Sequence, residues 1–385
     1  MRIPSTFAAG AALLLLAACG AQSDAGDNGS GPIEVGLIVP ETGAFGSVAG
    51  EQFLEATKVV VEEWNNNGGI NGREIKLEVC NDESTAEKSI SCYRSLSPKV
   101  DLMLGPHIGL TYNAVSSLAE RADQLLVTAT PHAFPNADST VFESAVPAEY
   151  AITKGFEFLS GQGFSKIGML TGNDETGQTA HDAAAKDAES LGGKVQLSAE
   201  TFDVAARDVT AQVAKLKADG VDAVFVWSTG AVVATILRDI ARSGLDVPVL
   251  LNYSNLSYGL MGLVPADAVP ADLYFTGTKA FAPTEENPDQ KALIETFSAD
   301  YLKATQKKAD FNAFAAADAA QTAFTAVKAT KSTSGKELKK WLESGDPVAA
   351  FNFVFSFSSD NHVGGTDPDQ VEIVKWNGTG WDPVG

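Results

Sequence analysis

The chain has little of what metal, redox and nucleotide chemistry need. Among its 385 residues there are 3 cysteines and 4 histidines. The histidines, His107, His132, His181 and His362, show no metal-ligand spacing, and neither H-E-x-x-H nor C-x-x-C occurs. A G-x-x-x-x-G-K-[ST] phosphate loop is missing, and Gly43-x-x-Gly46-x-x-x-Gly50 departs in spacing from the dinucleotide fingerprint. No G-x-S-x-G elbow presents a nucleophile. A nucleophile, a base and an orienting group cannot be assembled from these motifs, so the expectation is a protein that is not an enzyme and takes no metal or cofactor. Basic residues are also scarce: 28 Lys and Arg face 49 Asp and Glu, a net charge of −21. Phosphate-rich partners require a basic face, which argues against nucleic acid or an anionic membrane surface as partner. No apolar run reaches transmembrane length.

What the chain does have is apolar residues, 44% of the total, and a regular alternation of short β-branched runs with amphipathic ones. At this length two cores of ordinary size are the default. Ile33 to Val39 reads as a strand buried on both faces. From Glu51, the residues Phe53, Thr57, Val60, Val61 and Trp64 fall on one helical stripe, with Glu51, Glu55, Lys58, Glu62 and Glu63 opposite. Gly68 and Gly69 stop that helix, and Ile75 to Val79 returns as a strand. The order repeats through strands near Asp101–Leu104, Leu125–Thr128 and Val141–Ser144. A second cycle has strands at Lys166–Leu170, Lys194–Glu200, Ala223–Trp227 and Val247–Leu251. Strand and helix in alternation imply parallel pairing with helices on both faces, and two cycles imply two lobes. After a strand at Leu273–Thr276, helices are expected near Asp289–Lys303, Asn312–Lys328 and Gly335–Glu343. Strands at Phe351–Phe357 and Val371–Trp376 close the chain.

Ligands of open α/β sheets bind where strand ends meet helix N-termini. The loops in that position are Thr42–Gly50, Gly105–Gly109, Thr128–His132, Gly172–Gly177 and Ser228–Gly230. His107 and His132 fall in them, whereas His181 reads as a solvated helix residue and His362 as a turn residue. The aromatic residues Phe45, Tyr112, Phe134, Tyr150, Trp227, Tyr253 and Phe281 recur near these strand ends. Singly each is better explained as packing; as a set they suggest that two or three line a cleft.

The N-terminus carries a distinct signal. Arg2 precedes an apolar region from Phe7 to Ala18 that closes on Leu16-Ala17-Ala18-Cys19, too short to span a membrane. This resembles a bacterial lipoprotein signal and implies a signal peptide over 1–19, with Cys19 as the lipidated residue. Residues 20–31 are small and polar, as suits a flexible tether. Export into an oxidising compartment favours a bridge between Cys80, at a strand end, and Cys92, on the following helix, over two buried thiols. Such a bridge contributes at most about 3 kcal/mol in the chain-entropy account.

The stretch IEVGLIVPETGAFGSVAGEQFLEATKVVVEEWNNNGGINGREIKLEV is similar to the opening of the branched-chain amino acid class of ABC-transporter substrate-binding proteins. LGPHIGLTYNAVSSLAERADQLLVTATP and DVTAQVAKLKADGVDAVFVWSTGAVVATILRDIARSGLDVPVL agree with it. The resemblance, which resembles most the leucine/isoleucine/valine-binding protein, implies a type I periplasmic-binding-protein fold: α/β, two Rossmann-like lobes and three hinge crossings. It implies lobe I over 32–145 and 280–366 and lobe II over 146–279 and 367–385. A ligand would be trapped by lobe closure and delivered to ABC-transporter permease subunits by a monomer held to a bacterial membrane only through its N-terminal lipid, facing the periplasm or the cell exterior. The ligand carboxylate would meet Gly109, Leu110 and Thr111 in one loop and Thr130 and His132 in another, with Phe45, Tyr150, Tyr253 and Phe281 around it. The departures are chemical. Ser254 stands where the resemblance implies an acid for the ligand ammonium. Thr176, Thr229 and Ala49 (or Val48) stand where it implies tyrosines. A cation closed into a cleft without a counter-charge is strongly disfavoured. The expected ligand is therefore a small carboxylate or amide, aromatic or not, ahead of a free amino acid. A ligand-sensing or envelope regulatory lipoprotein of the same fold is the alternative.

Overall fold

The computed structural model describes residues 31–130, 135–283 and 287–384. It is an α/β protein of two lobes, each built on a mainly parallel sheet. Strand β1 (Ile33–Val39) is buried at every position but Glu34, as its unbroken apolar run requires of a central strand. Helix α1 (Glu51–Asn66) buries Phe53, Ala56, Thr57, Val59, Val60 and Val61, a stripe that recurs every three to four residues. Gly68 and Gly69, at φ 93° and 72°, turn the chain back in the left-handed region that glycine enters without strain. There follow β2 (Ile75–Asn81), α2 (Ala86–Leu96), β3 (Leu102–Leu104), α3 (Gly109–Ala119), β4 (Leu126–Thr128) and β5 (Val141–Glu143). All five strands are parallel, in the order β2-β1-β3-β4-β5.

The second lobe repeats the plan with α4 (Ala148–Gly161), β6 (Lys166–Gly172), α5 (Glu175–Ser190), β7 (Gln196–Phe202), α6 (Thr210–Asp219), β8 (Ala223–Trp227), α7 (Ala231–Ser243), β9 (Val249–Leu251), α8 (Tyr258–Leu263) and β10 (Leu273–Gly277). The chain then returns to the first lobe with α9 (Pro288–Thr305), α10 (Phe311–Thr330), α11 (Gly335–Leu342), β11 (Val348–Ala349) and β12 (Val354–Phe355). Finally β13 (Glu372–Trp376) and β14 (Trp381–Pro383) add antiparallel strands to the second sheet, whose order is β14-β13-β10-β9-β8-β6-β7. Three segments thus cross between the lobes, after β5, after β10 and after β12. The first and third are stitched together: Gly364 N–H donates to the Glu143 carbonyl at 2.9 Å and Gly365 N–H to that of Ala145 at 3.0 Å. Among the described residues no helix is long and apolar enough to cross a membrane.

Two glycines set how closely helix and strand approach on the inner side of each lobe. A Cβ on Gly50, just ahead of α1, would lie 1.9 Å from the carbonyl oxygen of Pro40, at the end of β1; one on Gly177, in the first turn of α5, would lie 1.9 Å from that of Gly172, at the end of β6. The Gly43–Gly50 spacing, which is not a dinucleotide fingerprint, thus still supplies the close strand–helix contact for which such folds use glycine.

Elsewhere the structure departs from the sequence reading. Phe351–Phe357 is not one strand: β11 and β12 are two residues each and pair only with one another. Its backbone is satisfied by side chains instead, with Phe351 and Asn352 N–H donating to Asp318 at 2.6 and 3.1 Å and Val354 N–H to Gln370 at 2.6 Å. The segment is a strap that drives Phe351, Phe353, Phe355 and Phe357 into the core. His362 directly follows the Ser358–Asn361 turn, but its side chain points inward. It is buried, stacked 3.9 Å from the Phe142 ring, with Nδ1 2.8 Å from the Val141 carbonyl and Nε2 3.1 Å from the Glu343 carboxylate. Cys80 and Cys92 stand with Cα atoms 5.6 Å apart and their sulfurs bonded.

Candidate functional site

The C-terminal ends of β1, β3 and β4 open onto one rim, and their loops are bound to each other before any ligand is considered. The peptide between Gly105 and Pro106 is cis. The Pro106 carbonyl that follows accepts the Thr128 hydroxyl at 2.6 Å and lies 3.3 Å from that of Thr130. Thr128 Oγ1 in turn is 3.2 Å from the Thr130 N–H. A Cβ added to Gly109 would sit 3.8 Å from Thr130 Cγ2, so the two loops run side by side with room for a methyl group between them. Here α3 begins: Thr111 and Tyr112 N–H bond back to the Ile108 carbonyl at 3.1 and 2.8 Å. Those of Gly109 and Leu110 lie ahead of the helical ladder, at the positive end of its dipole.

His107 is the tie that sequence reading left undecided. The Ala129 N–H donates to its Nδ1 at 3.1 Å, which places the ring proton on Nε2. The ring is buried, 5.0 Å from that of Phe53, and Nε2 has no hydrogen-bond partner among the described residues. Burial holds its pKa down to about 3, so the imidazole is neutral in the folded protein. In the unfolded chain it titrates near 6.5. Between pH 6.5 and 3 the unfolded state binds the extra proton, so the stability present above pH 6.5 is lost as pH falls through that window. The expected result is a melting midpoint that declines from pH 7 to pH 4.5, and a shallower decline in His107→Asn, read by circular dichroism.

On the opposite lobe the rim carries mainly hydroxyl and amide side chains, with one carboxylate, Asp174. Asp174 caps α5: its carboxylate accepts the Gly177 N–H at 2.8 Å and the Thr176 hydroxyl at 2.9 Å, so both groups are engaged locally. Thr229 is exposed in the β8–α7 loop. The Ser228 carbonyl beside it accepts Nδ2 of Asn252 at 3.2 Å and of Asn255 at 2.8 Å, which locks the loops after β8 and β9 together. Ser254 sits, half-buried, between those asparagines, and the buried Oδ1 of Asn255 has no partner among the described residues. Asn252 and Asn255 are structural residues that the sequence reading missed; the signal was an Asn-Tyr-Ser-Asn run directly after a strand, a turn-forming composition.

Not all the residues singled out in the sequence converge. Phe45, whose N–H donates to Ser84 Oγ at 3.1 Å, and Tyr150, at the start of α4, are partly exposed beside the strand ends. Leu110 is 58% exposed. Thr111 is buried, with its hydroxyl 3.2 Å from the Ile108 carbonyl, inside lobe I. Tyr253 is buried as well: its hydroxyl donates to the Val146 carbonyl at 3.1 Å and its ring lies 5.1 Å from Phe311, so it braces the first crossing segment. Phe281 packs against Phe314 and Trp381 on the flank of the molecule. His132, Phe134 and Cys19 lie outside the described residues. Among the described residues no group of three or more His, Cys, Asp or Glu is placed to hold a metal ion.

Comparison with known proteins agrees with this architecture. A Leu/Ile/Val-binding protein homolog of Brucella melitensis is 23% identical over 359 residues, 90% of this chain and 91% of that protein. A fatty acid ABC transporter substrate-binding protein from Thermomonospora curvata superposes with a TM-score of 0.76 at 20% identity, covering 92% of each chain. The branched-chain amino acid transporter substrate binding protein LivJ of Streptococcus pneumoniae, solved with isoleucine, superposes with a TM-score of 0.74 at 20% identity, covering 90% of this chain and all of that one. At such identities the structural likeness speaks for the fold, which is that of type I periplasmic binding proteins. The family described as periplasmic binding protein matches residues 32–380, nearly the whole length, and the chain belongs to that family.

Proposed function

We propose that this chain is the extracytoplasmic solute-binding protein of an ABC importer and that its ligand is a small organic carboxylate or amide, not a free amino acid. Lobe I, residues 32–145 and 280–366, supplies Phe45, the N–H groups of Gly109 and Leu110, and the Thr130–His132 loop. Lobe II, residues 146–279 and 367–385, supplies Tyr150, Thr176, Thr229 and Ser254. The α3 N-terminus and the neutral hydroxyls beside it suit a carboxylate or carbonyl oxygen, since such contacts are worth about 0.3–1 kcal/mol each when exposed and more when dry. Closure of the lobes over the ligand is the state read by a permease, and a lipid on Cys19 keeps the protein at the membrane.

The observation that carries the ligand class is the lack of a charged side chain at Ser254, Thr176 and Thr229. The Asp174 carboxylate, though charged, is oriented into the α5 cap by the Thr176 hydroxyl and the Gly177 N–H. An ammonium group closed against such a wall would lose its hydration with nothing in return. That a structural neighbour is named for fatty acids and another holds isoleucine supports a fold able to serve either kind of ligand. Calorimetry on the mature protein tests the reading. A neutral amide or simple carboxylate from a metabolite panel is expected to bind at least roughly a hundredfold more tightly than L-leucine, a gap of about 2.7 kcal/mol or more. Tight leucine binding would overturn the ligand class, and silence across the whole panel would overturn the transport role.

A further inference from the structure

Away from the rim loops, residues of both lobes line a partly open hollow of about 380 Å³, within the size range of small-molecule sites. Its walls come from both sides. Tyr258 of α8 and Trp381 of β14 belong to the second lobe; Leu302 of α9, Lys308 and Phe314 of α10 belong to the helices that return to the first. Phe281, on the crossing after β10, joins them. The rings brace one another edge to face: Tyr258 lies 4.7 Å from Trp381, Phe281 lies 5.3 Å from Trp381, and Phe281 lies 5.6 Å from Phe314. Rings held this way line the hollow without collapsing into it.

Two polar features complete the box. Trp381 is only 9% exposed, yet its indole N–H has no acceptor among the described residues, an arrangement that native interiors rarely tolerate. At the edge, the Lys308 ammonium sits 5.5 Å above the Tyr258 ring and donates to the Thr379 carbonyl at 3.2 Å, which accounts for one of its three donors. Asp310, whose charge reaches the Tyr258 ring, is buried and caps α10 through the Ala313 N–H at 3.2 Å. An apolar aromatic box with one orphan indole donor and a cation at its edge suits an anion with an aromatic body, the local ammonium acting against the chain's overall negative charge.

We infer that this cavity is a second ligand site, separate from the cleft between the rim loops, and that it takes a small aromatic carboxylate: the ring among Tyr258, Phe281, Phe314 and Trp381, the carboxylate toward Lys308. The inference does not depend on which compound the cleft binds. It is tested with 3-phenylpropionate by calorimetry on the mature protein, and by a crystal soaked with the para-bromo analogue, whose bromine is located by anomalous scattering. The expected results are saturable binding, a bromine inside the aromatic box, and a loss of roughly tenfold in Lys308→Met, the worth of one charge-assisted contact. Ser298→Trp, which fills the hollow, is expected to abolish binding. Lys308 is exposed, so Lys308→Met keeps the fold, which its melting curve checks. No binding, a bromine in the rim cleft, or an affinity unchanged in Lys308→Met would each overturn the site. Cleft ligands are titrated separately and should bind Lys308→Met as they bind the parent protein, so failure here and failure of the transport reading remain distinct.

Discussion

Asp318→Ala is expected to cost about 3–5 kcal/mol of stability and to loosen the hinge. In the middle of α10 the Asp318 carboxylate accepts three hydrogen bonds, from the N–H of Phe351 at 2.6 Å, the N–H of Asn352 at 3.1 Å and Nδ2 of Asn352 at 2.8 Å. Truncation leaves all three donors buried without a partner. Each such loss is worth about 1–3 kcal/mol, and losses within one network do not simply add. The network continues outward: the Asn352 carbonyl accepts Lys279 N–H at 3.1 Å and its Oδ1 accepts the Thr278 hydroxyl at 2.7 Å. Both partners lie on the crossing after β10, so α10 holds that crossing through a single asparagine. Denaturant unfolding should show the destabilisation, and ligand affinity should fall with it. A pH signature identifies the carboxyl as the cause. Burial raises its pKa to about 8, against the pull of its donors. A folded-state value above the unfolded one means that the stabilising effect is complete below about pH 4 and fades as pH rises through 8. The cost of Asp318→Ala should therefore be larger at pH 5 than at pH 8.5; a cost that rises with pH would refute the assignment.

Gly50→Ala and Gly177→Ala form the second pair of large expected effects. At each position the new methyl group would stand 1.9 Å from a backbone carbonyl oxygen, that of Pro40 or of Gly172. A side chain could swing aside, but a backbone carbonyl at a strand end cannot without dragging the rim loop. Overpacking of this kind costs about 1–3 kcal/mol. In α5 the displacement also pulls Gly177 N–H off the Asp174 cap, adding about 1 kcal/mol. Gly161→Ala, at the end of α4 with nothing within 4 Å of the added Cβ, is the control and should leave the melting midpoint nearly unchanged. Equal midpoints for Gly177→Ala and Gly161→Ala would show that the close approach is not what Gly177 provides.

Much of the architecture could be read from the chain alone. The β1 run and the α1 stripe are periodic over enough residues for tertiary packing not to reverse them, and the repeated strand–helix order leaves few topologies. The strap at 351–357 misled because its apolar alternation matches a strand while its backbone partners, Asp318 and Gln370, lie 33 and 16 residues away. His362 misled for the same kind of reason: a turn composition says nothing of the Phe142 ring and Glu343 carboxylate that meet it from other segments.

What the sequence by itself determined is the local and the periodic: which stretches are strands and helices, that they alternate, that two lobes follow, and that Thr176, Thr229 and Ser254 carry no charge. Only the tertiary structure decided which loops touch, that His107 rather than a metal or ligand holds the Ala129 N–H, that Tyr253 is buried and braces the first crossing, and that four aromatic rings from four separate segments line one hollow. Periodicity reports the burial of one face, because every turn of helix or pleat of strand repeats the same demand. Contacts between segments far apart in the chain leave no such repeat, since any apolar or polar partner of suitable shape satisfies them.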